Sequence, residues 1–178
     1  SDLKNIEPKQ FPNLRLDDVL LLFDRDSMSD DQMVEYLAQC MLDPKSPRPS
    51  IETLLHAFLP FRSVVHSHAD SIVALTNTEE SPNILDQVYA GRAEIVEYIR
   101  PGFLLSKLVG QRISDNPSSE GVILVNHGLF TWGDTVKDAY DKHIQLVTEA
   151  EEYCKHKSNG KTVFTAPSKT PLSETERH

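Results

Sequence analysis

Apolar residues along this chain recur with two spacings. The helical spacing is clearest in "MSDDQMVEYLAQCML" (28–42), where Met33, Val34, Leu37, Ala38, Met41 and Leu42 form one stripe. Ser29 is placed to cap that helix and Gln32 completes a capping box. "SIETLLHAFLPF" (50–61) predicts a second helix, with Ser50 as N-cap and Ile51, Leu54, Leu55, Phe58 and Leu59 toward the core. Pro60 ends it. "SPNILDQVY" and "GFLLSKLVGQRI" also read as helices. Asp134 is expected to cap a long helix reaching about Cys154, with Val136, Tyr140, Ile144 and Val147 on one face. Short unbroken apolar runs predict strands at "SVVHS" (63–67), "EIVEYI" (94–99) and "GVILVN" (121–126). "LDDVLLLF" (16–23) reads as a buried strand or a short apolar element, and "KTVFTAP" as a late strand. The three prolines of "DPKSPRPS" (43–50) make a connector. Strands alternate with helices, which points to a layered α/β fold.

Composition adds limits. The 178 residues suffice for one domain with a real core, at 39% hydrophobic and 25% charged. The net charge of −9 argues against nucleic acid or an anionic membrane as the main partner, though not against a small anionic substrate. No apolar run approaches the roughly 20 residues of a membrane helix. Two cysteines far apart, Cys40 and Cys154, suit free thiols in a reducing cytosol, with a disulfide still open.

The candidate chemistry lies where apolar runs end. In "VVHSH", residues two apart on an extended strand share a face, so His66 and His68 point the same way. Two such imidazoles can bind one divalent ion, and a catalytic zinc site typically has three protein ligands. His127, at the end of another apolar run and beside Gly128, is the natural third. The alternative is three polar residues where strands meet loops. Glu52 is either a carboxylate favoured by a helix N-terminus or a general base or ligand in the same pocket. His56 is expected to pack locally, and His143, His156 and His178 to be structural or solvated. There is no P-loop, no GxGxxG and no GxSxG elbow.

Taken together, "PSIETLLHAFLPF", "SVVHSHADSIVAL" and "VILVNHGLFTWGDTVKDAYDKHIQLVTEAEEY" resemble the class II aldolase/adducin family, over roughly residues 49–153. The likeness is closest to the aldolase portion of bifunctional rhamnulose-phosphate aldolase/short-chain dehydrogenase proteins. It implies a three-layer α/β/α sandwich around a mainly antiparallel sheet. It implies Zn2+ held by His66, His68 and His127, with Glu52 as the acid/base. Ser50 matches a position at the edge of the substrate-phosphate site. Tyr98 matches a tyrosine that donates a proton from a neighbouring subunit. The implied activity is cytosolic cleavage of a ketose 1-phosphate, such as rhamnulose 1-phosphate, by a homo-oligomer, a tetramer by resemblance. A dehydratase, an epimerase or a non-catalytic adducin-like interaction domain are the rivals. The family's Gly-Asn-x-Ser phosphate loop is not in this sequence. Residues 1–178 are therefore expected to be one excised domain lacking that segment, with 155–178 a polar tail and a dehydrogenase domain following in the full-length chain.

Overall fold

Why each element starts where it does is visible in its first turn. The computed structural model describes residues 5–159. Helix α1 (Leu16–Leu20) opens with Asp17 and Asp18, carboxylates that a helix N-terminus favours. It runs into a 3-10 turn at Leu21–Asp24. The apolar run 16–23 is thus helical, and only Val19 and Leu22, one helical turn apart, are buried. In α2 (Asp30–Gln39) the Ser29–Gln32 capping box forms as expected. Of the expected stripe Met33, Leu37 and Met41 are buried, while Val34 and Leu42 face solvent.

Helix α3 (Thr53–Phe58) leads into strand β1 (Ser63–Ser67). Next come α4 (Asp70–Thr76), α5 (Ser81–Tyr89) and β2 (Ala93–Val96). Then come α6 (Phe103–Asp115), β3 (Gly121–Leu124), β4 (Gly128–Gly133) and α7 (Val136–Lys157). The sheet order is β1-β4-β3-β2. β1 pairs antiparallel with β4, and β4 antiparallel with β3. β2 and β3 run parallel, joined through α6.

Two helical layers cover the sheet. Leu55 of α3, Leu59 just past it, and Leu105, Val109 and Ile113 of α6 pack on Val96, Val122, Leu124, Phe130 and Trp132. On the other face, residues of α4, α5 and α7 pack on Ala93, Ile123 and Leu129. A third cluster joins α1 and α2 to Leu54, Phe58 and Phe103. This is the three-layer α/β/α arrangement, mainly antiparallel. Because β3 and β4 are covered on both faces, they read as continuous apolar runs rather than alternating ones.

The faces of α7 differ from expectation. Val136, Tyr140 and Ile144 are exposed, at 71%, 54% and 46%. The buried row is Ala139, His143, Leu146 and Ala150. Spacing permits either face, and the start of the helix lies close to the sheet: a Cβ on Gly133 would come within 2.9 Å of the Ala139 nitrogen. The cap is Thr135, not Asp134. The helix continues to Lys157, past Cys154, and so takes in the first residues of the expected tail. The expected strand "KTVFTAP" and His178 lie outside the described residues. Cys40 and Cys154 are free thiols. Among the described residues no helix is long and apolar enough to cross a membrane.

Candidate metal centre

Because β1 and β3 both run antiparallel to β4, and β2 runs parallel to β3, the C-terminal ends of β1, β2 and β3 lie on one edge of the sheet. His66 and His68 sit at the end of β1. His127 sits in the turn between β3 and β4. Glu52 is the residue before α3. The structure brings these four together: one ligand atom from each lies within 4.8 Å of all the others.

The turn that delivers His127 is made by Asn126, whose φ of 56° is left-handed. The neighbouring Gly128 does not make that turn, since its φ is not positive. It serves instead for close approach, since a Cβ there would come within 2.4 Å of the Ser67 carbonyl oxygen. Ser50 starts the turn into α3, and its Oγ accepts from the Glu52 backbone N–H at 3.2 Å. The N-cap itself is Glu52, not Ser50, and the Glu52 side chain caps nothing. Its carboxylate turns away from the helix end, and Oε1 lies 2.8 Å from His127 Nε2 and 3.2 Å from His66 Nε2.

The protonation pattern follows from the partners. His66 Nδ1 is 3.0 Å from the Leu129 carbonyl oxygen, which can only accept, so Nδ1 carries the proton. The ring is further fixed by stacking on Phe130, centroids 3.8 Å apart. His66 Nε2 is thus the ring atom left to face the cluster, 2.9 Å from His68 Nε2 and 3.2 Å from Glu52 Oε1. Three ring nitrogens and a carboxylate oxygen facing one another must share either protons or a cation. A divalent cation satisfies all of them at once, so the donor set fits a metal.

His127 Nδ1 is buried without a hydrogen-bond partner among the described residues. The ring is therefore held through Nε2 alone. Hydrogen bonds with His127, then His66, hold the Glu52 carboxyl well below the usual carboxylate range, against the opposing effect of burial. The two imidazoles outweigh desolvation. The side chains of His66 and His127 are 9% and 7% exposed, Glu52 24% and His68 57%. The cluster is closed behind and open on the His68 side.

Other expected residues fall elsewhere. Ser50 is exposed and adjoins the cluster only through the Glu52 backbone. Tyr98 lies two residues beyond β2, outside the cluster and 58% exposed, on the same edge of the sheet. His56 packs its ring against Phe130, and burial lowers its pKa. His143, expected to be structural or solvated, is buried and bonded to Ser67 and Thr131. The Leu129 carbonyl that orients His66 was not foreseeable, because it belongs to β4, a strand that was not expected.

The sequence of residues 10–154 matches the family described as "Class II Aldolase and Adducin N-terminal domain". The chain is 44% identical over 177 residues to the uncharacterized oxidoreductase YuxG of Bacillus subtilis (strain 168), covering 99% of this chain and 26% of that protein. It thus spans about a quarter of that relative's length. Among solved structures, the N-terminal class II aldolase domain of a conserved protein from Thermoplasma acidophilum superposes with a TM-score of 0.80 at 42% identity. That match covers 86% of this chain and 70% of the other. A sugar-phosphate aldolase from Thermotoga maritima shares the fold, with a TM-score of 0.56 at 22% identity over 68% of this chain and 60% of its own.

Proposed function

The chain belongs to the class II aldolase and adducin N-terminal domain family, and from that premise we propose that it is a cytosolic, zinc-dependent aldolase domain. Its substrate would be a ketose 1-phosphate, such as rhamnulose 1-phosphate, cleaved to dihydroxyacetone phosphate and an aldehyde. The observation that carries this reading is the convergence of three imidazoles on the Glu52 carboxylate, with the His66 tautomer fixed by Leu129.

His66, His68 and His127 would hold the ion through their Nε2 atoms. When bound, a divalent zinc supplies Lewis-acid polarisation of substrate oxygens. Glu52 moves the proton at the carbon released by bond cleavage. Its Oε1, 2.8 Å from His127 Nε2 and 3.2 Å from His66 Nε2, lies beside the proposed ion for that role. Substrate enters from the His68 side, the one exposed wall of the cluster. Ser50 is proposed to meet the substrate phosphate. Tyr98, exposed on the same edge of the sheet, is proposed to donate a proton into a neighbouring copy's site, which requires a homo-oligomer. A dehydrogenase domain following this one in the full-length chain would agree with the oxidoreductase name of the longer Bacillus relative.

A dehydratase or epimerase would use the same residues and differs only in product. An adducin-like interaction domain has no use for three imidazoles converging on a carboxylate. Elemental analysis beside a His66→Ala/His68→Ala variant tests the metal, and product analysis on ketose 1-phosphates tests the reaction. About one zinc per chain, lost in the variant, with dihydroxyacetone phosphate formed, is the expected result. Wild-type protein that refuses zinc sinks the reading, and a dehydrated or epimerised product redirects it.

A further inference from the structure

Ser67 lies between two of the proposed ligands, yet its side chain faces the other way. Strand alternation sends His66 toward Phe130 and sends Ser67 toward α7. There Ser67 Oγ is 2.6 Å from His143 Nε2. His143, 4% exposed, sits in the buried row of α7. Its Nδ1 is 3.0 Å from Thr131 Oγ1, and that hydroxyl is 2.8 Å from the Ala139 carbonyl oxygen.

The directions of these bonds are determined. The Ala139 carbonyl can only accept, so the Thr131 hydroxyl gives it its one proton. Thr131 Oγ1 must then accept from His143 Nδ1–H. Burial pushes the His143 pKa down to about 4, so near neutral pH its Nε2 has a lone pair and accepts from the Ser67 hydroxyl. The relay runs Ser67 to His143 to Thr131 to Ala139, with each proton used.

Packing alone does not explain this arrangement. An apolar side chain would fill the same row of α7 without desolvating an imidazole. The relay ends on a residue with special leverage. β1 stops at Ser67, whose pairing with Leu129 is the last of the β1–β4 ladder. His68 lies beyond the ladder, 57% exposed, and is placed by whatever holds Ser67. Gly128 presses close to the Ser67 carbonyl from β4, and His143 grips the Ser67 hydroxyl from α7.

We propose that His143, braced by Thr131, is a positioning residue: it holds Ser67 so that His66 and His68 present their Nε2 atoms to one ion. This inference rests on the reading of the cluster as a metal centre.

The test uses the full 178-residue chain as wild type, Ser67→Ala, His143→Leu, His143→Gln and the Ser67→Ala/His143→Leu double variant. Zinc affinity is measured by competition with a chromophoric chelator, and coordination geometry by the visible spectrum of the Co2+-loaded protein. Ser67→Ala and His143→Leu should each weaken zinc binding about tenfold or more, the scale typical of groups that orient metal ligands. The double variant should be no worse than the weaker single, because both act through one bond. His143→Gln, whose amide oxygen can accept from Ser67, should recover part of the affinity, and the Co2+ spectrum should change wherever affinity falls. Ser67→Ala and His143→Leu binding zinc within about twofold of wild type, or a double variant showing the full product of the two losses, would overturn the proposal. If His143→Leu fails to fold, Ser67→Ala against wild type decides alone. Wild-type protein that takes up no zinc fails at the first row and overturns the metal reading, and this inference with it. Tight wild-type binding with unaffected variants overturns only the inference.

Discussion

His66 donates from Nδ1 to the carbonyl oxygen of Leu129, 3.0 Å away on the neighbouring strand. One backbone acceptor thus settles which imidazole nitrogen is left to face Glu52, and it ties the proposed metal centre to the β1–β4 ladder.

The first prediction follows from that tie. A metal that binds only the folded chain stabilises it by about 2.7 kcal/mol at a hundredfold excess over Kd. Chelator should therefore lower the thermal midpoint of the wild type. It should leave that of the His66→Ala/His68→Ala variant unchanged. Equal shifts in both proteins would mean that the chelator acts elsewhere. Calorimetry with and without added zinc measures this.

Gly128→Ala places a methyl group 2.4 Å from the Ser67 carbonyl oxygen, where backbone rather than a flexible side chain must yield. Overpacking of this kind costs roughly 1–3 kcal/mol. Denaturant unfolding should show that loss. Zinc affinity should fall with it, because the atom displaced lies between His66 and His68. A variant with native stability and native affinity would mean that the two strands separate more easily than this contact suggests.

Glu52→Gln keeps the shape but removes the base. Cleavage turnover should fall by about 10²–10⁴, the usual contribution of a positioned acid/base. Metal content should stay near that of the wild type, since three histidines remain. Zinc lost in parallel with activity would instead make Glu52 a fourth ligand. Steady-state kinetics and elemental analysis of the same sample separate the two.

Burial lowers the His143 pKa from 6.5 to about 4. Between those values the unfolded chain binds the proton and the folded chain does not, so stability rises with pH across that window. This contribution is fully present above 6.5 and is lost as pH falls toward 4. The slope is at most about 1.36 kcal/mol per pH unit for one proton. In His143→Gln it should disappear. Urea melts from pH 4 to 7 would show the difference between the two proteins growing across the window. Parallel profiles would place the titration on another group.

The candidate ligand cluster was legible in the sequence because strand alternation makes His66 and His68 neighbours, and an apolar run ending in His127 marks another strand end. What brings them into contact was not. β4, "GLFTWG", is covered on both faces, so it shows no alternation to betray it, and with it the Leu129 carbonyl was hidden. A long helix reaching about Cys154 was foreseen but its orientation was not. Val136, Tyr140 and Ile144 obey helical spacing as well as Ala139, Leu146 and Ala150 do. Tertiary contacts select the face: Leu146 and Ala150 join Ile123 and Leu129 in one apolar cluster, and His143 bonds to Ser67 and Thr131. The capping box at Ser29 was readable because it is local; the ionisation of Glu52 was not, because it depends on His127, 75 residues away.

That separation has a kinetic meaning. Bringing Glu52 and His127 together closes a 75-residue loop, at a chain-entropy cost of about 4 kcal/mol before any constant term. β1 has to find β4 before the four donors meet, so the site is assembled late, after the local helices. An ion bridging these donors would act as a staple across that loop, slowing unfolding more than it speeds folding.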